Sequence, residues 1–192
     1  MDKAHEDDML SMPVREFADR TAARTPTPGG GSVAGVVGML RVALGEMALN
    51  FTRGKKRFAE HAETHERLAR RLLRARHMFE ALVADDVAAY GMFTQSQDLP
   101  DGPDKDQAVQ LATAAAIDVP RQAMKLGLAI LEDLKALAPV SNPWLITDLM
   151  AAGVLCTAAV RLSDYNVRVN GKQLQDADQA AEVQAGSRAD LK

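Results

Sequence analysis

Residues 58–95 set what this chain can become. An apolar or aromatic side chain returns every three or four positions, at Leu68, Leu72, Ala75, Phe79, Leu82, Tyr90 and Phe93, the period of a helix packed along its whole length. A helix that long needs partners of similar length, and the sequence offers them. Residues 32–51 form a small-residue apolar segment, 104–137 a helix with Pro120 inside it, and 144–163 an apolar helix. A shorter amphipathic helix is expected at 9–23, with Met9 and Phe17 inward. The breaks are proline- and glycine-rich, at 25–32, 99–104 and 138–143. Residues 166–170 read as extended or irregular, and 171–192 as a polar, frayed helix. Aromatics are only 4% of a chain that is 47% hydrophobic, so the core is built of Ala, Leu, Val and Met. Such a core favours close-packed helices over a sandwich or barrel. The expectation is an all-α fold: an antiparallel bundle of long helices, one domain over residues 1–192.

Charge and cysteine content narrow the function. Lys plus Arg is 23 against 26 for Asp plus Glu, a net charge of −3, where a dedicated nucleic-acid binder is usually basic. The single Cys156 rules out an internal disulfide and a cysteine-built zinc site, and its apolar surroundings make it a small hydrophobe. A reducing cytoplasm is the expected compartment. The N-terminal MDKAHEDDML is acidic without an apolar core, so no signal peptide is expected. The uncharged apolar stretch 149–160 is too short to span a bilayer, so no membrane partner is expected.

Asp86 breaks the apolar seam of the long helix, and Asp148 stands at the head of the stripe formed by Ala152, Leu155, Ala159 and Leu162. A carboxylate in an apolar face is costly unless hydrogen-bonded, paired or used, and burial lifts its pKa toward the range useful for proton transfer. The bland alternatives for Asp86 are capping of a neighbouring helix or pairing with Lys55, Lys56 or Arg41. Gly29, Gly30, Gly31 and Ser32 let the backbone pass close to a ligand, and the helix that follows offers free N–H groups; a plain turn fits them equally. Lys55 and Lys56, with Arg53 and Arg57, form a compact basic cluster around Gly54, either a solvated helix end or a carboxylate or phosphate site. His61 and His65 are four apart but lack the zincin pattern and start a charge-rich segment, so a solvated face is expected and no metal site.

Taken together, PTPGGGS, ALGEMALNFTRGKKRF, LVADDVAAY, AAAIDVPRQA, SNPWLITDLMAAGV and DYNVRVN, in that order, resemble the cyclodeaminase/cyclohydrolase family. That family includes the cyclodeaminase domain of formiminotransferase-cyclodeaminase and the stand-alone bacterial methenyltetrahydrofolate cyclohydrolases. The resemblance runs over about residues 14–170. It implies an all-helical homodimer acting on a tetrahydrofolate derivative, with no further cofactor. It places the family's carboxylates on Asp86 and Asp148 as catalytic residues. The substrate contacts it implies are Gly29, Gly30, Gly31, Ser32, Lys55, Lys56, Asn142 and Asn166. The family's usual Ser-Asp-x-Gly-Val-Ala reads here as Thr147-Asp148-Leu149-Met150-Ala151-Ala152, and Arg41 stands where a small residue is common.

The resemblance implies one of two reactions. Water opens the ring of 5,10-methenyltetrahydrofolate to give 10-formyltetrahydrofolate, or N10 of 5-formiminotetrahydrofolate closes the same ring and expels ammonia. Asp86 moves the proton in either. The rival from another class is a non-catalytic folate-binding or interaction protein on the same helical dimer. Asp148 and Asn166 are eighteen positions apart, roughly 27 Å along an unbroken helix. In that case one site using both draws them from different chains.

Overall fold

The computed structural model describes residues 9–174 and 176–190. A 3₁₀ turn at Met9–Ser11 precedes α1 (Val14–Ala22). The bundle follows: α2 (Gly30–Asn50), α3 (Ala62–Gln97), α4 (Pro103–Leu137) and α5 (Ile146–Gly171). A closing helix, α6, spans Ala177–Asp190. Short 3₁₀ turns at Lys56–His61, Ala138–Val140 and Pro143–Leu145 join the long helices. The expectation for the acidic N-terminus falls largely on residues 1–8, which lie outside the described residues, as do 175, 191 and 192.

Helices α2 to α5 run up, down, up and down, each packed on the next, and α5 closes the ring against α2. Glycines set the closeness of α2 to α3. A Cβ on Gly35 would lie 2.6 Å from Val83 Cγ2, and one on Gly38 2.6 Å from Phe79 Cδ1. The core fills with Val42, Leu49, Leu68, Leu72, Phe79, Leu134 and Leu137, all nearly inaccessible. Arg41 is also fully buried. Its Nε donates to Gly38 O and its Nη1 to Gly127 O, each at 3.2 Å, and its guanidinium lies over the Phe79 ring. It therefore does not pair with Asp86. Cys156 is buried, donates to Gly127 O, and burial pushes its thiol pKa up, as suits an inert hydrophobe.

Several boundaries differ from the sequence reading. Residues 166–170 are helical, not extended: α5 runs on to Gly171. Tertiary contacts outweigh the β-branched valines there. Val167 is fully buried, Arg168 pairs with Asp164 one turn back, and Asn170 Nδ2 donates to Ala116 O at 2.7 Å. That carbonyl is the one Pro120 frees from the α4 ladder, because proline has no N–H to offer residue i−4. The tail from 177 is a docked helix: Gln184 donates to Arg168 O and Ser187 to the buried carboxylate of Asp164. His65 is not on a solvated face. It is 1% exposed and its Nε2 lies 2.9 Å from Val140 O, pinning α3 to the α4–α5 turn. Against the expectation drawn from 149–160, α2 and the segment Pro143–Gly171 are long and apolar enough to cross a membrane by length and composition alone, as core helices often are; half of α2's apolar window and 28% of the second are buried inside the bundle.

Candidate functional site

Helix α2 begins among glycines, and Gly29 at its N-cap brings no side chain to its free N–H groups. Asp86, from the middle of α3, supplies what is missing. Its Oδ2 accepts from Ser32 Oγ at 2.8 Å, and the backbone N–H of Ser32 also donates to the carboxylate. The approach is so close that a Cβ on Gly31 would lie 2.0 Å from Asp86 Oδ1. Asp86 thus caps α2 from across the bundle. No cation neutralises it among the described residues; burial raises its pKa above the ordinary aspartate value, and the two Ser32 hydrogen bonds only partly offset that. It is a carboxylate shifted toward the range of a general base or acid.

Asp86 faces a cleft of about 260 Å³. One wall is the glycine loop (Pro26, Thr27, Gly29, Gly30 and Gly31), and another is the outer turn of α3 with Tyr90 and Phe93. The third carries the amides of Asn166, Asn170 and Gln173. Tyr90 and Phe93 leave the buried seam because α3's 3.6-residue period drifts against the three-and-four spacing. Ala89 and Ser96 take the inward positions instead, and Tyr90 is 42% exposed. The result is a carboxylate at the floor of a half-aromatic, half-amide cleft, a suitable lining for a flat heterocycle with several nitrogens and oxygens.

The remaining predicted residues lie at the other end of the bundle. Lys55 and Lys56 are exposed on the turn after α2, beside a second cleft of about 340 Å³ shared with Arg53, Phe58, His65 and Glu66. Gly54 takes φ +76° there, the left-handed turn that glycine favours. Asn142 is 8% exposed: its Oδ1 accepts from Arg57 Nη2 and from Trp144 N, and its backbone N–H donates to Thr52 Oγ1. Asp148 sits half-buried in the first turn of α5, at the edge of the apolar face and not at its centre. The buried face runs instead through Leu149, Ala152, Cys156, Ala159 and Ser163.

The predicted residues therefore fall into two groups. Gly29, Gly30, Gly31, Ser32, Asp86 and Asn166 come together at one end, and Lys55, Lys56, Asn142 and Asp148 at the other. The 21 residues of α2 separate them, roughly 30 Å at 1.5 Å per residue. Tyr90 and Phe93 were legible only as seam residues, while Asn170, Gln173 and Ser163 carried no signal of their own; for Asn170 the signal was Pro120, fifty residues earlier. Among the described residues no three His, Cys, Asp or Glu side chains converge as a metal site.

Comparison with known proteins accords with this arrangement. A family model described as formiminotransferase-cyclodeaminase matches residues 13–189. A methenyltetrahydrofolate cyclohydrolase from Methylorubrum extorquens is 30% identical over 168 residues, covering 85% of this chain and 81% of that protein. The formimidoyltransferase-cyclodeaminase of Mus musculus is 28% identical over 180 residues, 91% of this chain but only 33% of the larger protein. The crystal structure of formiminotetrahydrofolate cyclodeaminase from Thermotoga maritima superposes with a TM-score of 0.84 at 29% identity, covering 95% of this chain and 91% of that one. Matched by the family model over nearly its whole length and sharing the fold of that structure, this chain belongs to the formiminotransferase-cyclodeaminase family.

Proposed function

We propose that this protein is a folate-dependent one-carbon enzyme that hydrolyses 5,10-methenyltetrahydrofolate to 10-formyltetrahydrofolate. The observation that carries the reading is Asp86: a carboxylate with a raised pKa and, among the described residues, no cation partner, at the floor of a cleft suited to a heterocycle. The cyclohydrolase relative, covered over four-fifths of its length, supports this choice of reaction.

In the proposed reaction the ring head lies between Tyr90, Phe93 and the glycine loop, with the amides of Asn166, Asn170 and Gln173 toward its heteroatoms. Asp86 takes a proton from water as the oxygen bonds to the cationic methenyl carbon. It then returns that proton to the leaving ring nitrogen as the C–N bond breaks. The hydroxyl of the intermediate loses its proton to solvent as the formyl C=O forms. One water is consumed and one proton released. The scheme uses the substrate's own one-carbon group and side chains of this protein. We place the reaction in a reducing cytoplasm, where Cys156 stays a thiol.

The two groups of residues join into one site in a homodimer. Helix α5 leaves Met150, Val154, Tyr165 and Val169 between 58% and 69% exposed, and Leu40 of α2 and Phe51 at its C-cap are also exposed. This length of apolar surface suits a second copy. A two-fold axis across the helices sets the pairs antiparallel, so Lys55, Lys56, Asn142 and Asp148 of one chain meet the Asp86 cleft of the other. The lysines then face the glutamate tail of the substrate.

The second reading, ring closure of 5-formiminotetrahydrofolate with loss of ammonia, is supported by the Thermotoga maritima cyclodeaminase. Two assays decide. Accelerated loss of methenyl absorbance supports hydrolysis. Ammonia release from 5-formiminotetrahydrofolate without hydrolysis supports the second reading. Tight folate binding with neither overturns both in favour of a binding protein.

A further inference from the structure

Behind Asp86 lies a small chamber of about 10 Å³, continuous with the cleft through Gly31, Asp86, Val119 and Asn166. That volume is roughly what a single water occupies. Its far walls are apolar, among them Leu82 and Pro120. On the α5 side stands Ser163, a residue 2% exposed. It lines the chamber together with Asp86 and Asn166. A serine hydroxyl can both donate and accept, so Ser163 brings a polar group to the wall of a water-sized space that a carboxylate also lines. Asn166, one turn on, has its Nδ2 held by Leu162 O at 3.0 Å, which leaves its Oδ1 as an acceptor. Asp86 retains acceptor capacity beyond its Ser32 bonds. Three polar groups around room for one molecule meet the needs of an ordered water, which makes two to four hydrogen bonds.

We propose that Ser163 and Asn166 hold the hydrolytic water against Asp86 at the floor of the cleft, so that Ser163 is a positioning residue for water attack. The inference rests on the cyclohydrolase reading. The water gives one hydrogen to the Asp86 carboxylate, accepts from Ser163 Oγ–H, and turns its remaining lone pair toward the cleft. Its oxygen bonds to the methenyl carbon as the proton passes to Asp86. The later breaking of the C–N bond takes that proton back, and the chamber refills from solvent through the cleft. The apolar walls leave the water one orientation, which ring closure with loss of ammonia does not need because it consumes no water.

Two variants test the site. Ser163→Val fills the chamber and removes the hydroxyl; Ser163→Ala removes the hydroxyl alone and covers the case in which valine disturbs the fold. Hydrolysis of 5,10-methenyltetrahydrofolate is followed by its absorbance, with thermal melting alongside. The expected result is a kcat lowered on the order of 100-fold in Ser163→Val and about 10-fold in Ser163→Ala, with KM within about threefold of wild type. Wild-type kcat in both variants overturns the water site while leaving the cyclohydrolase reading intact, as does a loss confined to KM. A wild-type protein that does not open the methenyl ring overturns the reading itself.

Discussion

Replacing Gly31 by alanine asks whether the placement of Asp86 governs the rate. The added Cβ would stand 2.0 Å from Asp86 Oδ1 and 2.6 Å from its Cγ. Ordinary contact begins near 3.4 Å, so the carboxylate has to retreat by roughly 1.4 Å, or α2 has to lift from α3. The second movement is resisted along the helix, because Gly35 and Gly38 are seated as tightly on Val83 and Phe79. The carboxylate is therefore the part that moves, and it loses its 2.8 Å bond to Ser32 Oγ as it does so. A displacement of about 1 Å in a reacting group costs on the order of 100-fold in rate. Overpacking of this kind costs about 1–3 kcal/mol, a fall in Tm of roughly 2–12 °C for a chain of this size. Gly91→Ala is the control: it lies in the same helix as Asp86 with nothing within 4 Å of its added Cβ, and is expected to keep activity and gain up to about 1 kcal/mol. The assay is steady-state ring opening with thermal melting on both variants. A folded Gly31→Ala protein with wild-type kcat would refute the reasoning.

Asp86→Asn keeps an acceptor for Ser32 and is expected to fold, bind folate and lose about 10²- to 10⁴-fold in kcat. Because burial raises the Asp86 pKa, the folded wild-type chain holds its proton where the unfolded chain has lost it. Stability should then fall as pH rises from the ordinary value of 3.8 through the raised one, a slope that denaturation curves at several pH values should find flattened in Asp86→Asn. The acid limb of the pH–rate profile should lie above the ordinary carboxylate range for the same reason. Lys55→Ala or Lys56→Ala should raise KM more than it lowers kcat, and added salt should reproduce part of the change in wild type. Val154→Glu, on the exposed α5 face, should yield a folded monomer by light scattering with activity reduced at least about tenfold; a monomer of undiminished activity would remove the shared site.

Asp86 was legible because a charge interrupts a long apolar period, and the cost of burying it demands a reason. The glycine run was legible as a helix start, although Gly30 and Gly31 form the first turn of α2 and only Gly29 stands before it as the N-cap. The run of α5 past Ser163 was not, since Asn-Val-Arg-Val-Asn alternates like a strand. What holds it helical are the buried Val167, the Arg168–Asp164 pair and the bond from Asn170 to a carbonyl released by Pro120 in another helix. His65 sits among charged neighbours in sequence, yet its ring meets Val140 O across the bundle. Ser163 is one small polar residue in an apolar helix, and only the chamber in front of it distinguishes it from any other. Local chemistry was readable wherever it broke a pattern, and contacts between distant segments were not.

The claim that one site draws Asp86 from one chain and Lys55 from its partner is tested most directly by mixing two crippled proteins. Asp86→Asn and Lys55→Glu are purified separately, denatured together in equal amounts, refolded, and assayed for kcat/KM on 5,10-methenyltetrahydrofolate. Random pairing makes half of the dimers mixed, and each mixed dimer carries one site with both residues intact. The account predicts recovery to about one quarter of wild-type activity. Activity no higher than the average of the two variants refolded alone would contradict it.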